Sequence, residues 1–211
     1  MKSGKIIQIC LAIVVVCFFT ALAVTKIFPW LEFRKYHPVS GDLIFQSLPY
    51  NDLVQAIEGI SESPFSHCGI VIQKDGEWYV LEAIGPVKYT PLYEWVKNGR
   101  AHSFKVFRLK DSQYIDDFIS KASGYLGRPY DKQYRMDDEK IYCSELIYKA
   151  YRDAADIQLG QMVKLGDMPW EKFQSTIINY EKGAVPLERE IITPVNITKS
   201  EHLKSVFNYG Y

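Results

Sequence analysis

Cysteine is scarce in this chain. Four occur in 211 residues, and Cys10 and Cys17 fall inside an apolar N-terminal run, leaving only Cys68 and Cys143 beyond it. Two cysteines cannot staple a small disulfide-rich domain. No paired Cys or His spacing recurs, so there is no zinc-site pattern, and neither a metal nor an organic cofactor is expected. Net charge is missing too. The 25 basic and 25 acidic side chains balance, which removes the electrostatic footprint of a nucleic-acid binder. There is no internal repeat, no low-complexity segment and no βαβ rhythm, which argues against a solenoid, a disordered chain or a parallel sheet. What remains is mixed helices and antiparallel strands, an α+β class.

Aromatic residues are plentiful, with Tyr 15 and Phe 11, which suits a packed core with a groove. Residues 6–24 form a nearly unbroken apolar run behind Lys2 and Lys5, close to the roughly 20 residues needed to cross a bilayer. Ala21-Leu22-Ala23 also resembles a signal-peptidase site. Residues 1–25 therefore read as a cleaved signal peptide or a retained membrane anchor, 26–40 as a stem, and 41–211 as one domain. Either reading places the domain outside the cytoplasm, on a periplasmic or extracellular face, because the leading positive charges stay inside.

Cys143 opens an amphipathic helix, with Leu146, Ile147, Ala150 and Ala154 on one stripe. A thiol at a helix N-terminus favours the thiolate, the nucleophilic form; the plainer reading is a small buried apolar residue. The clearest hairpin joins residues 67–73 and 78–84 through Asp75-Gly76, a favoured type I′ turn. Taking those two as the loop, cross-strand partners sum to 151, so Glu82 lies opposite Gly69, and His67 is its diagonal neighbour on the same face. A histidine so placed can act as a base, with Glu82 holding its tautomer and charge. The alternatives are a satisfied structural histidine and a solvated glutamate. Cys68 points to the opposite face and reads as core. A Cys68–Cys143 disulfide would disable the nucleophile in the resting protein.

Other expected elements are a strand at 43–47, a helix capped by Asn51, and a helix begun by Thr90-Pro91 and ended by Asn98-Gly99. A strand at 103–109, a helix at 113–123, a short helical piece near Trp170 and a strand at 190–193 follow, then irregular chain to Tyr211.

Ser66-His67-Cys68-Gly69-Ile70, Glu82-Ala83, Gly127-Arg128-Pro129-Tyr130-Asp131 and Tyr142-Cys143-Ser144-Glu145-Leu146 occur in that order. With Gly41-Asp42-Leu43-Ile44-Phe45 and Ile192-Thr193-Pro194-Val195-Asn196, this series resembles the circularly permuted papain-like enzymes of the NlpC/P60 superfamily, YiiX/YaeF-type amidase group, over about residues 41–198. The resemblance implies a permuted papain-like fold, with an antiparallel sheet against the cysteine helix. It implies Cys143 as nucleophile, His67 as general base and Glu82 as the orienting residue. Tyr130 then lines the site or holds an oxyanion, or simply packs; Ser66 and Ser144 are further candidates for binding substrate or oxyanion. The implied reaction is hydrolysis of an amide, such as a cell-wall peptide bond, through a thioester. A lipid acyl ester is the alternative substrate, and a non-catalytic module binding a peptide, amino acid or acyl group is the alternative class. Membrane contact is expected through residues 6–24 if they are retained.

Overall fold

The computed structural model describes residues 29–211; the apolar run and its cleavage-like site lie outside them. Among the described residues no helix is long and apolar enough to cross a membrane. The chain divides into two compact units, Met1–His37 and Pro38–Tyr211. In the first, residues 29–33 are helical and the Arg34 guanidinium lies 4.8 Å from the centroid of the Trp30 ring.

The strands of the second unit are β1 (Leu43–Gln46), β2 (His67–Lys74), β3 (Glu77–Ala83), β4 (Val87–Pro91), β5 (Phe104–Leu109), β6 (Val163–Lys164), β7 (Glu190–Ile191) and β8 (Leu203–Tyr209). Its helices are α1 (Asp52–Ile60), α2 (Leu92–Asn98), α3 (Ile115–Ser123), α4 (Cys143–Ala155), α5 (Gln174–Glu181) and α6 (Pro194–Thr198). Six strands form one sheet in the order β4-β3-β2-β1-β5-β8, and β6 pairs with β7 separately. All six strand-to-strand pairings are antiparallel, with one isolated parallel bridge between Tyr130 and Ile141, so the architecture is α+β.

Local chemistry explains the elements around the site. Asp75 and Gly76 both have positive φ, 52° and 82°, the geometry whose twist suits adjoining strands. The β2–β3 register runs from Ile70↔Leu81 to Lys74↔Glu77, the pairing expected from the turn. Asn51 caps α1 by accepting the Val54 N–H at 2.9 Å. At the head of α4 the Glu145 carboxylate accepts the Tyr142 N–H at 3.2 Å, which satisfies a backbone donor where the helix begins.

Alternation along β2 and β3 divides their side chains between two faces. Cys68, Ile70, Ile72, Leu81 and Ala83 join Phe118 and Ala122 of α3 and Leu146, Ile147 and Ala150 of α4 in one core. Each fully buried aliphatic or aromatic side chain there contributes roughly 1.5–3 kcal/mol. On the opposite face α2 buries Leu92, Trp95 and Val96.

Three expectations are corrected. Thr90 does not cap α2; it belongs to β4, and its hydroxyl bonds to Glu82. The strand expected at 190–193 is only Glu190–Ile191, and Thr193 instead caps α6 by accepting the Asn196 N–H. The tail after it is not irregular. Residues Leu203–Tyr209 complete the sheet as β8 against β5, pairing Phe104 with Tyr209; their half-polar pattern is that of an edge strand.

Candidate active site

The hairpin brings His67 and Glu82 together as the register requires. His67 Nε2 lies 2.6 Å from Glu82 Oε2, and both side chains are buried. Gly69 permits this closeness: a Cβ there would collide with the Val80 side chain and lie 3.0 Å from the Leu81 carbonyl oxygen and 3.5 Å from Glu82 Cβ.

Glu82 is held by two further donors that the sequence did not reveal. The Thr90 hydroxyl donates to Oε1 at 2.5 Å and the Trp95 indole N–H to Oε2 at 2.8 Å. The Trp95 ring also stacks on His67, centroids 5.6 Å apart at 29°. The signal for Thr90 was available. Glu82 pairs with Lys88 and Val80 with Thr90 across β3–β4, so Thr90 is a same-face diagonal neighbour of Glu82. Reading Thr90-Pro91 as a helix start concealed β4.

Cys143, at the first position of α4, is buried and lies within hydrogen-bonding reach of His67. The Cys68 thiol and backbone N–H are further influences on it. The β2–β3 ladder starts at Ile70, while His67 and Cys68 are held by pairing with β1. Both cysteines are free thiols. Cys68 is therefore core, as expected, and also a direct neighbour of the candidate nucleophile.

The electrostatics follow from these contacts. The hydrogen bond from Cys68 is the largest influence holding the Cys143 thiol well below its usual range; burial opposes it, and the bond to His67, the imidazolium charge and the Cys68 N–H add to it. Burial alone would favour neutral His67, but bonds to Cys143 and Glu82 and their negative charges push it up to about 10. Glu82 is lowered against its burial, chiefly by the bond to His67 and its charge, then by Thr90 and Lys88. Burial and the neighbouring Cys143 push Cys68 well up. The favoured state is a Cys143 thiolate, a His67 imidazolium and a Glu82 carboxylate, with Cys68 protonated.

Ser66 and Ser144 are near the centre but engaged elsewhere. Ser66 Oγ donates to Glu58 at 3.0 Å and accepts the Leu48 N–H at 2.8 Å. Ser144 Oγ donates to the Ile192 carbonyl at 2.7 Å, tying the head of α4 to the tail. Tyr130 is half-buried, its hydroxyl 3.3 Å from that of Tyr134, and burial, Tyr134 and Cys143 push its phenol well up. It is thus a neutral donor within electrostatic reach of Cys143.

Cys143 also opens onto a cavity of about 90 Å3 between α1 and α5. Its exposed lining is largely apolar, with Ile57, Ile60, Leu165, Ile177, Ile191 and Ile192, but Ser66, Gln133, Tyr134, Ser144, Thr176 and Tyr180 line it as well. Lys132, Glu181 and Arg189 also line it, Arg189 being paired with Glu181. Ser66, Ser144 and Ile192 to Pro194, which belong to the quoted motifs, also line it; the rest of the wall comes from helix α1 and the tail.

Comparison with known proteins places the chain. YiiX of Escherichia coli K12, described as uncharacterized, is 30% identical over 176 residues, covering 81% of this chain and 87% of its own length. The crystal structure of YiiX from Escherichia coli O157:H7, described as a metalloprotein, superposes with a TM-score of 0.78 at 30% identity, covering 82% of this chain and 99% of that one. Among the described residues of this chain, no group of three or more His, Cys, Asp or Glu side chains is arranged to hold a metal ion. The family model for the permuted papain-like amidases, YaeF/YiiX, C92, matches residues 37–207. The chain belongs to the permuted papain-like amidase family, a cysteine hydrolase group.

Proposed function

We propose that the chain is an exported cysteine amidase acting through Cys143, His67 and Glu82 on an amide whose acyl half is aliphatic. The observation that carries this is the buried His67–Glu82 pair at 2.6 Å beside the buried Cys143 thiol, which lines a largely apolar cavity and is held well below its usual range. The thiolate needs no base to activate it and attacks the amide carbonyl directly. The new oxyanion is stabilised by the Cys143 backbone N–H at the start of α4, a donor worth about 3 kcal/mol in comparable sites. His67 gives its proton to the departing amine, leaving a thioester. Neutral His67 then takes a proton from the water that attacks the thioester, and the ion pair is restored. Glu82 fixes which nitrogen of His67 faces the sulfur by engaging Nε2.

The largely apolar surface of the cavity favours an acyl group, since burying apolar area is worth about 25 cal/mol per Å². The same walls support a second reading, an acyl ester of a lipid. Export rests on the N-terminal apolar run behind two lysines. The test is to offer the purified full chain N-acyl amides of increasing chain length, matched esters and peptidoglycan, with Cys143→Ala as control. Release of amine, with a thioester mass on Cys143, is expected for the acyl amides. Cleavage of peptidoglycan alone would refute the acyl assignment, and activity surviving in Cys143→Ala would refute the site. A non-catalytic binding module would label slowly with iodoacetamide at Cys143 and turn over nothing.

A further inference from the structure

The cavity that holds Cys143 is lined by Tyr134 and not by Tyr130, although Tyr130 is the tyrosine of the Gly127–Asp131 motif. The two hydroxyls lie 3.3 Å apart. Two phenols carry two protons, and the bond between them uses one. Among the described residues neither hydroxyl has another hydrogen-bond partner, so one O–H is left without a protein acceptor. With Tyr130 as the donor of the pair, that proton belongs to Tyr134, on the cavity wall. Burial pushes the Tyr134 phenol up, which keeps the proton in place.

Several independent contacts fix Tyr134 against the approach to Cys143. Tyr130 makes a parallel bridge with Ile141. In it the Asp131 N–H donates to the Ile141 carbonyl at 3.2 Å and the Ile141 N–H to the Pro129 carbonyl at 3.0 Å. The loop is thereby laid beside the residues that lead into α4. The Tyr134 ring packs on that of Tyr142, centroids 4.9 Å apart at 55°, and Tyr142 immediately precedes Cys143. The Tyr134 backbone has a φ of 54°, a left-handed conformation that a bulky side chain rarely adopts. Buried Asp131 holds it there by accepting the N–H groups on either side, from Gln133 at 2.9 Å and from Arg135 at 2.5 Å. Arg189 adds a bond to the Gln133 carbonyl. A backbone of this kind persists only where its surroundings over-determine it, and such residues gather at functional sites.

We propose that Tyr134 is a catalytic residue whose hydroxyl donates to the oxyanion formed at Cys143, with Tyr130 as the positioning residue that occupies its acceptor side. This rests on the reading of the chain as a thiol acyl-hydrolase. As the thiolate attacks, the S–C bond forms and the carbonyl π pair moves onto oxygen. The Tyr134 O–H and the Cys143 backbone N–H then share that charge, and no proton is transferred to it. When the leaving group departs, the pair returns and the C=O bond re-forms. A donor aimed at charge that develops during attack lowers the barrier and adds little to ground-state binding.

The experiment uses the full chain with p-nitrophenyl hexanoate, whose leaving group departs without needing a proton, so that the rate reports on the oxyanion rather than on His67. In Tyr134→Phe the maximal rate of p-nitrophenolate release is expected to fall about 100-fold, with little change in the half-saturating ester concentration. Iodoacetamide should alkylate Cys143 of this variant at the wild-type rate, because attack at a methylene carbon forms no oxyanion. Tyr130→Phe, in which Tyr134 keeps its own proton, should lose less. Tyr134→Phe that releases p-nitrophenolate as fast as wild type would overturn the proposal. So would a loss matched by an equal loss of alkylation, which marks a structural role, or a greater loss in Tyr130→Phe. Wild type no faster than Cys143→Ala would refute the thiol-hydrolase reading itself. Tyr134→3-fluorotyrosine preserves the ring packing and strengthens the donor, so its release rate should rise; an unchanged rate there overturns the assignment even if Tyr134→Phe does not fold.

Discussion

Replacing Glu82 by Gln keeps the shape of the side chain and removes its charge, which isolates what the carboxylate does for His67. The imidazolium bonds to Glu82 at 2.6 Å in a buried site. A hydrogen bond to a charged partner contributes about 1.5–3 kcal/mol, and one pKa unit corresponds to 1.36 kcal/mol, so His67 is expected to fall by about 1–2 units from its value of about 10. The measurement is an NMR titration of the full chain carrying 13C-labelled histidine, following the ring Cε1 signals. His37, His102 and His202 act as internal references. The sign is fixed by linkage. An imidazole whose pKa is raised by folding stabilises the protein fully below the ordinary 6.5, and that contribution is lost as pH climbs through about 10. In Glu82→Gln the loss comes about 1–2 units earlier. Any amide cleavage that needs the His67 proton then declines at correspondingly lower alkaline pH. A folded Glu82→Gln protein in which His67 titrates at the wild-type midpoint would refute the assigned coupling.

Trp95→Phe keeps the ring against His67 but deletes the N–H that Glu82 accepts at 2.8 Å; urea unfolding should show a loss of about 1.5–3 kcal/mol, as expected when a buried charge loses a donor. Glu145 is pushed up to about 7, burial outweighing its bonds to Lys149 and the Tyr142 N–H. An acid raised in this way contributes stability below its ordinary 4.5 that is lost as pH rises through about 7. The melting temperature of the wild type should therefore decline between about pH 5 and 8, and Glu145→Gln, which can still cap Tyr142, should flatten that decline.

Much of the site was legible because a two-residue turn sets a register. Asp75-Gly76 alone determined that His67 and Glu82 would be neighbours, and the register bears this out. The family resemblance then supplied roles that spacing could not. Thr90 and Trp95 escaped notice because Thr-Pro is an equally good helix start, and only the β3–β4 pairing shows which use is made of it. β8 escaped because its partner β5 lies about a hundred residues earlier, Phe104 against Tyr209, and an edge strand carries little hydrophobic alternation. The cavity escaped for a similar reason, since much of its wall comes from α1 and from the tail around Leu165 and Ile177.

Local covalent and steric rules operate within a few residues, so sequence by itself determined the hairpin, the helix that begins at Cys143, the antiparallel α+β class and the pairing of His67 with Glu82. Where α4 docks depends on the whole core beneath it, from Cys68 and Ile70 to Phe118 and Leu146. That docking decided what no local rule encodes: the Cys143 thiol at the head of α4 is buried beside His67 and Cys68, and both shift its titration.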